Sequence, residues 1–473
     1  MELLTKRSLG YPLNEPFHED SKRIHVNDAL CEYVLGACMW IPRSILNIKC
    51  LEPVPSKSSL APGKPIPLKL WVQHPRNPEF IGVPRFFGMS AFGKGRDVRT
   101  DGKDIRTLWN PAYTLREEQE YGIRNTLKTL EVWGGAFFIA DCGMGKSLCM
   151  ASLIQHVQKR TMIIVPRVTL LHQMHTDLGV GSEDKPPYLF ETSLGILQGS
   201  WDKCSSNLQT CSIVIASLDS LSLFQYPQEF WATFGLVIFD EAHHMAAKTL
   251  SAILPHIPTR RIVGFSATPD RPDGLQHVLY WLLGPTSFVY ERRPEITGKY
   301  ETVHIKKIPG IMAEESFTFQ GKLAFQAMLT QMASNEARNT MICNVLKGIR
   351  KERKKILFIT AFRSHVDALY DLLYEEFKEP IRKIVGGSKC EDKGEHIVVA
   401  TYSMLEEGFD DKDLDTLILC TPRSHIQQTV GRIERQKEGK LVPLVYDIVD
   451  QNRIFESMWK KRLSFYQSRG FKI

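Results

Sequence analysis

The chain has 473 residues, 43% of them hydrophobic and 24% charged, with a formal net charge of +7. Such a composition supports packed cores and excludes wholesale disorder, and at about 100–200 residues per domain the length suggests roughly three domains. The mild basic excess permits nucleic-acid binding without demanding it. No run of about 18 apolar residues occurs, and no apolar stretch follows Met1, so neither a membrane span nor a secretory leader is expected. The ten cysteines include no CxxC pair, and Cys31 and Cys38 fit no ordinary structural zinc spacing, which points to reduced thiols in an intracellular protein.

Residues 1–109 are broken by prolines at 53, 55, 62, 65, 67, 75, 78 and 84, with short apolar runs such as Leu68-Lys69-Leu70-Trp71-Val72 between them. Apolar runs punctuated by turn residues predict a small strand-rich N-terminal domain. Within it, Phe86, Phe87 and Phe92 beside Arg85 and Lys94 fit either base stacking or a small hydrophobic core. From residue 110 the pattern changes to short apolar runs separated by helix-length segments: 136–140, 161–165, 212–216, 236–239 and 261–265. A second series follows at 303–308, 356–360, 397–401, 416–420 and 444–448. Runs of this kind predict parallel sheets buried on both faces, hence two α/β domains, 110–287 and 288–473.

The first run leads into Ala140-Asp141-Cys142-Gly143-Met144-Gly145-Lys146-Ser147, which opens a helix. Backbone N–H groups of such a loop wrap phosphate oxygens, and the helix N-terminus adds partial positive charge. Lys146 is placed to reach the β- and γ-phosphates and Ser147 to hold Mg²⁺; Gly143 and Gly145 permit close backbone approach. Ala140 stands where the usual pattern has glycine. The fourth run leads into Asp240-Glu241-Ala242-His243-His244. Carboxylates at the C-terminal edge of a buried parallel strand face the ligand crevice, so Asp240 is a Mg²⁺ candidate and Glu241 a water-orienting base. A metal site at the adjacent His243 and His244 is not expected, because neighbouring side chains converge poorly on one ion.

With these come Ser266-Ala267-Thr268 and Gln428-Thr429-Val430-Gly431-Arg432-Ile433-Glu434-Arg435. Four motifs in this order resemble those of the superfamily 2 helicases with a DEAH box, over about residues 113–450. Leu115-Arg116-Glu117-Glu118-Gln119 is similar to the adenine-reading segment of the XPB and UvsW branches, which implies Gln119 as the base contact and Arg116 as a further nucleotide-binding residue. The run 266–274 and Val83-Pro84-Arg85 resemble segments in helicases of large DNA viruses. The resemblance implies two tandem RecA-like domains, ATP and Mg²⁺, and coupling of hydrolysis to strand movement through His243, Ser266, Ala267 and Thr268. It also implies nucleic-acid contacts at Pro166, Arg167, Gln173 and Thr401, and a cleft motif with Gly408 and Asp410. Gln428, Arg432 and Arg435 then join Lys146, Asp240 and Glu241 as catalytic candidates, the arginines acting on ATP from the second domain. A guanidinium of this kind contributes about 10³–10⁵-fold in NTPases.

Three functional classes remain open on the sequence: a helicase or translocase, an ATP-gated nucleic-acid clamp that does not unwind, and a motor subunit for restriction or remodelling. Intact Glu241 and Arg435 favour turnover over a clamp, and no nuclease-like segment is evident. DNA is favoured over RNA as partner, with replication or transcription proteins as further candidates and a monomer as the expected state; a viral setting implies the virion or the host cytoplasm or nucleus. The basic run 350–355 fits either a phosphate grip or a solvated helix end before a strand.

Overall fold

The computed structural model describes residues 34–36, 38–46, 48–52, 68–74, 76–141, 143–182, 185–245, 247–267, 275–291, 302–319, 321, 323–386, 394–406, 411, 413–434 and 439–473. The chain divides into two compact units, Met1–Glu291 and Arg292–Ile473.

The first unit begins with β1 (Val34–Leu35), β2 (Met39–Pro42), β3 (Val72–Gln73), β4 (Phe80–Val83) and β5 (Arg96–Asp97), paired in the order β3-β4-β2-β1-β5. All pairings are antiparallel except β1 with β5. The short helix α1 (Arg85–Phe92) follows β4 and turns this small sheet onto the α/β fold that follows. Phe86 and Phe87 are buried, and Arg85 donates to the carbonyls of Thr259 (2.8 Å) and Ile257 (2.9 Å). Of the two readings open for this segment, the core wins: aromatic rings enclosed in this way offer no face to a base.

A strap, residues 99–107, then crosses the N-terminal ends of the next sheet's strands. Thr100 N bonds Pro258 O, Lys103 N bonds Thr233 O, and Ile105 N bonds Gln158 O. Asp101 pairs with Lys159 and Arg261 at 2.8 and 2.6 Å, so two basic residues flanking different strands share one carboxylate. Side-chain hydrogen bonds from Lys159 and Arg261 hold the Asp101 carboxyl at about 2.

The main sheet follows β6 (Leu108–Trp109). Its strands are β7 (Gly135–Ala140), β8 (Thr161–Val165), β10 (Leu194–Leu197), β11 (Ile213–Ser217), β12 (Leu236–Phe239), β13 (Arg261–Ser266) and β14 (Thr286–Tyr290), while β9 (Leu189–Phe190) pairs with β6. Their order is β10-β11-β8-β12-β13-β7-β14, and every pairing is parallel. Helices α2 (Glu117–Trp133), α3 (Lys146–Val157) and α4 (Val168–His175) are among those that cover it. Alternate residues of each strand enter different cores. Phe137, Ile139, Ile164 and Phe239 face one side; Phe138, Ala140, Val165 and Ile238 face the other. The first of these cores continues into the N-terminal sheet through Met39, Ile41 and Phe86. The N-terminal segment is therefore built into the first unit rather than tethered to it.

The second unit has one sheet: β15 (His304–Met312), β16 (Ile356–Thr360), β17 (Ile381–Ile384), β18 (Ile397–Thr401), β19 (Thr416–Leu419) and β20 (Leu444–Gln451). Its order is β15-β20-β19-β16-β18-β17, again parallel throughout. Two α/β domains with a smaller strand-rich sheet ahead of them are thus the observed architecture. The expected division at 287/288 falls inside β14, which pairs with β7, so the first unit extends to Glu291.

The basic run before β16 is a helix end. Arg350 Nε donates to Glu379 (2.9 Å), Arg353 to Val442 O (2.7 Å) and Lys354 to Gly439 O (2.9 Å), and Lys355 is buried 2.6 Å from Asp411. These heads are engaged within the domain, which favours the structural reading over the phosphate grip.

Candidate active site

Strands β12, β13 and β7 are neighbours in the first sheet, so the loops at their C-terminal ends converge at one edge. Each brings one motif: the loop after β7 runs into α3, Asp240 and Glu241 follow β12, and Ser266 ends β13.

The loop turns on Gly143 and Gly145, whose φ angles of +82° and +85° lie in the left-handed region that side chains disfavour. At Gly145 a Cβ would also meet Gln119 Nε2 at 2.7 Å. Ala140 needs no such freedom. It is buried at the end of β7, and its carbonyl accepts a hydrogen bond from Lys146 Nζ at 3.3 Å. That explains why alanine serves where the usual pattern has glycine. Asp141 and Ser147 are half-buried and Met144 is buried, while Cys142 lies outside the described residues.

Arg116 and Gln119 open α2 and cap it together: the backbone N–H of Arg116 donates to Gln119 Oε1 at 2.8 Å. Both side chains then donate to one atom, the Met144 carbonyl, at 2.5 and 2.7 Å. The two residues expected to bind nucleotide thus also hold the glycine loop through Met144, a contact the sequence did not reveal.

Asp240 is only 7% exposed, and its Oδ1 accepts from the Glu241 backbone N–H at 2.9 Å. Burial first, and then the neighbouring Glu241 carboxylate, push its pKa up to about 7, against the pull of Lys146. Glu241 has φ +47°, a left-handed conformation rare for a residue with a side chain, and strain of this kind clusters at functional sites. Lys146 Nζ lies 3.4 Å from Glu241 Oε1, Glu241 Oε2 lies 3.4 Å from His243 Nδ1, and that nitrogen lies 2.9 Å from Ser266 Oγ. A continuous polar chain therefore links phosphate loop, acidic pair and the Ser266-Ala267 segment. Thr268 lies outside the described residues.

The adjacent carboxylates of Asp240 and Glu241 are hard-oxygen donors of the kind that suits Mg²⁺. Asp240 is buried beside a second carboxylate, where a cation would compensate the charge, so the residues present fit such an ion.

The other sequence candidates are placed as follows. Pro166 and Arg167 follow β8, the strand next to β12, and Gln173 is half-buried on α4. Thr401 ends β18, buried, with its hydroxyl 3.0 Å from Ser403 Oγ. Gln428 and Arg432 lie on the helix Gln427–Ile433 of the second unit, where Arg432 Nε is buried without a hydrogen-bond partner among the described residues. Gly408, Asp410 and Arg435 lie outside the described residues.

Comparison with known proteins gives a consistent picture. Residues 112–271 match the family model "Type III restriction enzyme, res subunit". A protein of Acanthamoeba polyphaga mimivirus, named among the ATP-dependent RNA helicases, is 26% identical over 93% of this chain and 85% of its own length. A protein of Invertebrate iridescent virus 6, named as a helicase, is 26% identical over 75% of this chain and 81% of its own. Among solved structures, an ATP-dependent type ISP restriction-modification enzyme bound to DNA covers 76% of this chain and 30% of its own, with a TM-score of 0.51 and 16% identity. That last likeness is one of fold.

Proposed function

We infer that this chain, whose residues 112–271 match the res subunit of type III restriction enzymes, is an ATP-dependent helicase that uses hydrolysis to move along nucleic acid or to separate its strands. The observation that supports this most is the unbroken polar chain from Lys146 through Glu241 and His243 to Ser266. It joins the groups that meet the γ-phosphate to the segment through which hydrolysis is felt elsewhere in the fold.

The glycine loop cradles the phosphates with backbone N–H groups, and Lys146 neutralises them. Ser147 and Asp240 would hold Mg²⁺, which would supply neutralisation of phosphate charge. Lys146 Nζ lies 3.4 Å from Glu241 Oε1. Phosphate oxygens compete for that ammonium, so ATP binding releases Glu241 to orient the attacking water. Gln119 reads the base while it and Arg116 brace Met144, which ties nucleotide recognition to loop geometry. Gln428, Arg432 and Arg435 act on the same ATP from the second unit, so turnover requires both units. Pro166, Arg167, Gln173 and Thr401 grip the strand backbone. Exposed Arg43 and Lys69 over the Trp71 ring let the N-terminal sheet add affinity.

DNA is the substrate we favour, on the XPB- and UvsW-like motifs; the name of the mimivirus relative favours RNA. Phosphate contacts carry little identity information, so chemistry at the motor does not decide between them. ATPase stimulation by single- and double-stranded DNA and RNA at fixed salt does. Lys146→Ala is expected to lose nucleotide binding and turnover, whereas Glu241→Gln keeps binding and loses turnover. Normal hydrolysis by folded Lys146→Ala would overturn the assignment.

A further inference from the structure

The helix Gln427–Ile433 is reached from β19 by a short connection, and the carbonyls of that connection are held in an unusual way. Cys420 and Thr421 are buried, beyond the end of the β19 ladder. Buried carbonyls need donors. Here three side chains from three different elements supply them. Arg338 Nη1 donates to Cys420 O at 2.7 Å, Tyr402 Oη to Thr421 O at 2.8 Å, and Arg462 Nη1 to Arg423 O at 2.7 Å.

Both arginines are themselves fixed. Asp450 accepts from Arg338 Nε and Nη2 at 2.8 and 2.9 Å, and Asp447 accepts from Arg462 Nε and Nη2 at 2.8 Å each. Tyr466 adds a hydroxyl bond to Asp447 at 2.7 Å. These five side chains are at most 1% exposed, apart from Tyr402 they complete the clamp, and Tyr402 itself is 5% exposed. A bidentate carboxylate leaves the remaining guanidinium N–H groups aimed in one direction, a geometry lysine lacks. On the far side of the connection, Ile426, Val430 and Ile433 enter the core that also contains Tyr402 and Tyr466.

We propose that Arg338, Tyr402 and Arg462 are positioning residues for ATP hydrolysis: by clamping the carbonyls of Cys420, Thr421 and Arg423 they set where the helix carrying Arg432 begins. This rests on the reading that Arg432 acts on ATP. Phosphoryl transfer depends on placement, and an error of about 1 Å costs about 10²-fold in rate. Simple stabilisation needs no such arrangement, since apolar side chains of similar volume often serve a buried ion pair's place as well.

The test uses the full chain and removes one hydroxyl at a time. Tyr402→Phe deletes a clamp bond, Tyr466→Phe loosens the carboxylate that holds Arg462, and Tyr226→Phe is the control. Tyr226 gives a comparable hydroxyl bond, to Gly199 O at 2.6 Å, in the first unit. ATP affinity, nucleic-acid-stimulated kcat and thermal midpoint are measured for each, with Arg432→Ala and the Tyr402→Phe/Arg432→Ala double variant. The expected result is a kcat about tenfold lower in the two clamp variants, unchanged ATP affinity, and wild-type kcat in Tyr226→Phe. In the Arg432→Ala background Tyr402→Phe should cost no further rate, because its effect passes through Arg432. Wild-type kcat in both clamp variants, or losses that multiply in the double variant, overturn the clamp. Wild-type kcat in Arg432→Ala instead removes the reading on which it stands, and the two failures are separate.

Discussion

At the scale of single residues, burial decides what an ionisable group can do. Asp240 is buried at the end of its strand, and burial, with the neighbouring Glu241 carboxylate, pushes its pKa up to about 7. His365 shows the same force acting on a base. It is 1% exposed, with Nδ1 2.7 Å from Thr360 Oγ1 and Nε2 2.9 Å from Asn339 Oδ1. Burial, and then the Arg338 charge, pull its pKa down to about 3. The unfolded chain therefore binds a proton that the folded one refuses. Stability is fully present above the unfolded pKa of about 6.5 and is lost as pH falls from there toward 3. From pH 7 to pH 5 this residue should remove about 2 kcal/mol from the second unit. His396 and His425 are shifted the same way, so the measurement is comparative. Hydrogen-exchange free energies of β16 and β18 amides, read at both pH values in wild type and His365→Gln, should show a flatter dependence in the variant. Equal slopes would remove His365 as the cause. None of this was legible in the sequence, where His365 sits in an ordinary helical stretch. The glycine loop and acidic pair stand out in the sequence because the chemistry proposed for them requires neighbours in the chain. The clamp was not, because its partners lie up to 112 residues apart.

At the scale of elements, the strands buried on both faces were the easy ones to read. The runs at 161–165, 236–239, 356–360 and 397–401 coincide with β8, β12, β16 and β18. The strands β10, β14 and β17 were missed for separate reasons. The first is four residues with Gly195 inside it, and the last alternates Arg382 and Lys383 between apolar ends at a sheet edge. The strand β14 sits where a linker was expected, and only its pairing with β7 shows that it belongs to the first sheet. The join between α1 and β7 was equally hidden. A Cβ at Gly135 would lie 2.0 Å from Phe86 Cζ and 2.7 Å from Leu283 O, so this glycine exists to admit the ring. Gly135→Ala should destabilise the first unit by about 1–3 kcal/mol, the usual range for overpacking. Phe86→Leu in the same chain should recover part of that loss, which urea midpoints of the single and double variants would show. Independent, additive losses would mean that the ring and the glycine do not share a space. The same contact argues against excising residues before 110 as a dispensable module: the cut would expose Phe137 and Leu283, which share the core that Met39 and Phe86 complete.

At the scale of the whole molecule, the residues proposed for catalysis fall in two compact units. Lys146, Asp240 and Glu241 belong to the first, and Gln428, Arg432 and Arg435 to the second. If the arginines act on ATP, neither unit is an enzyme alone. The first unit must be taken through Glu291, because ending near Leu283 would strip β14 from β7 and uncover Phe138, which packs on Phe288 with ring centroids 4.7 Å apart. Residues 1–291 should then bind ATP weakly and hydrolyse almost none, with or without nucleic acid. In the full chain, Arg435→Ala should keep ATP affinity within a few-fold while nucleic-acid-stimulated kcat falls by about 10³–10⁵-fold. Arg435→Lys should restore only part of it, since an ammonium lacks the planar fork that matches phosphate oxygens. The measurements are nucleotide Kd and kcat at saturating nucleic acid for all four proteins. Robust turnover by residues 1–291 would place the whole active site in the first unit, and the coupling of hydrolysis to strand movement would then need another origin than the second unit's arginines.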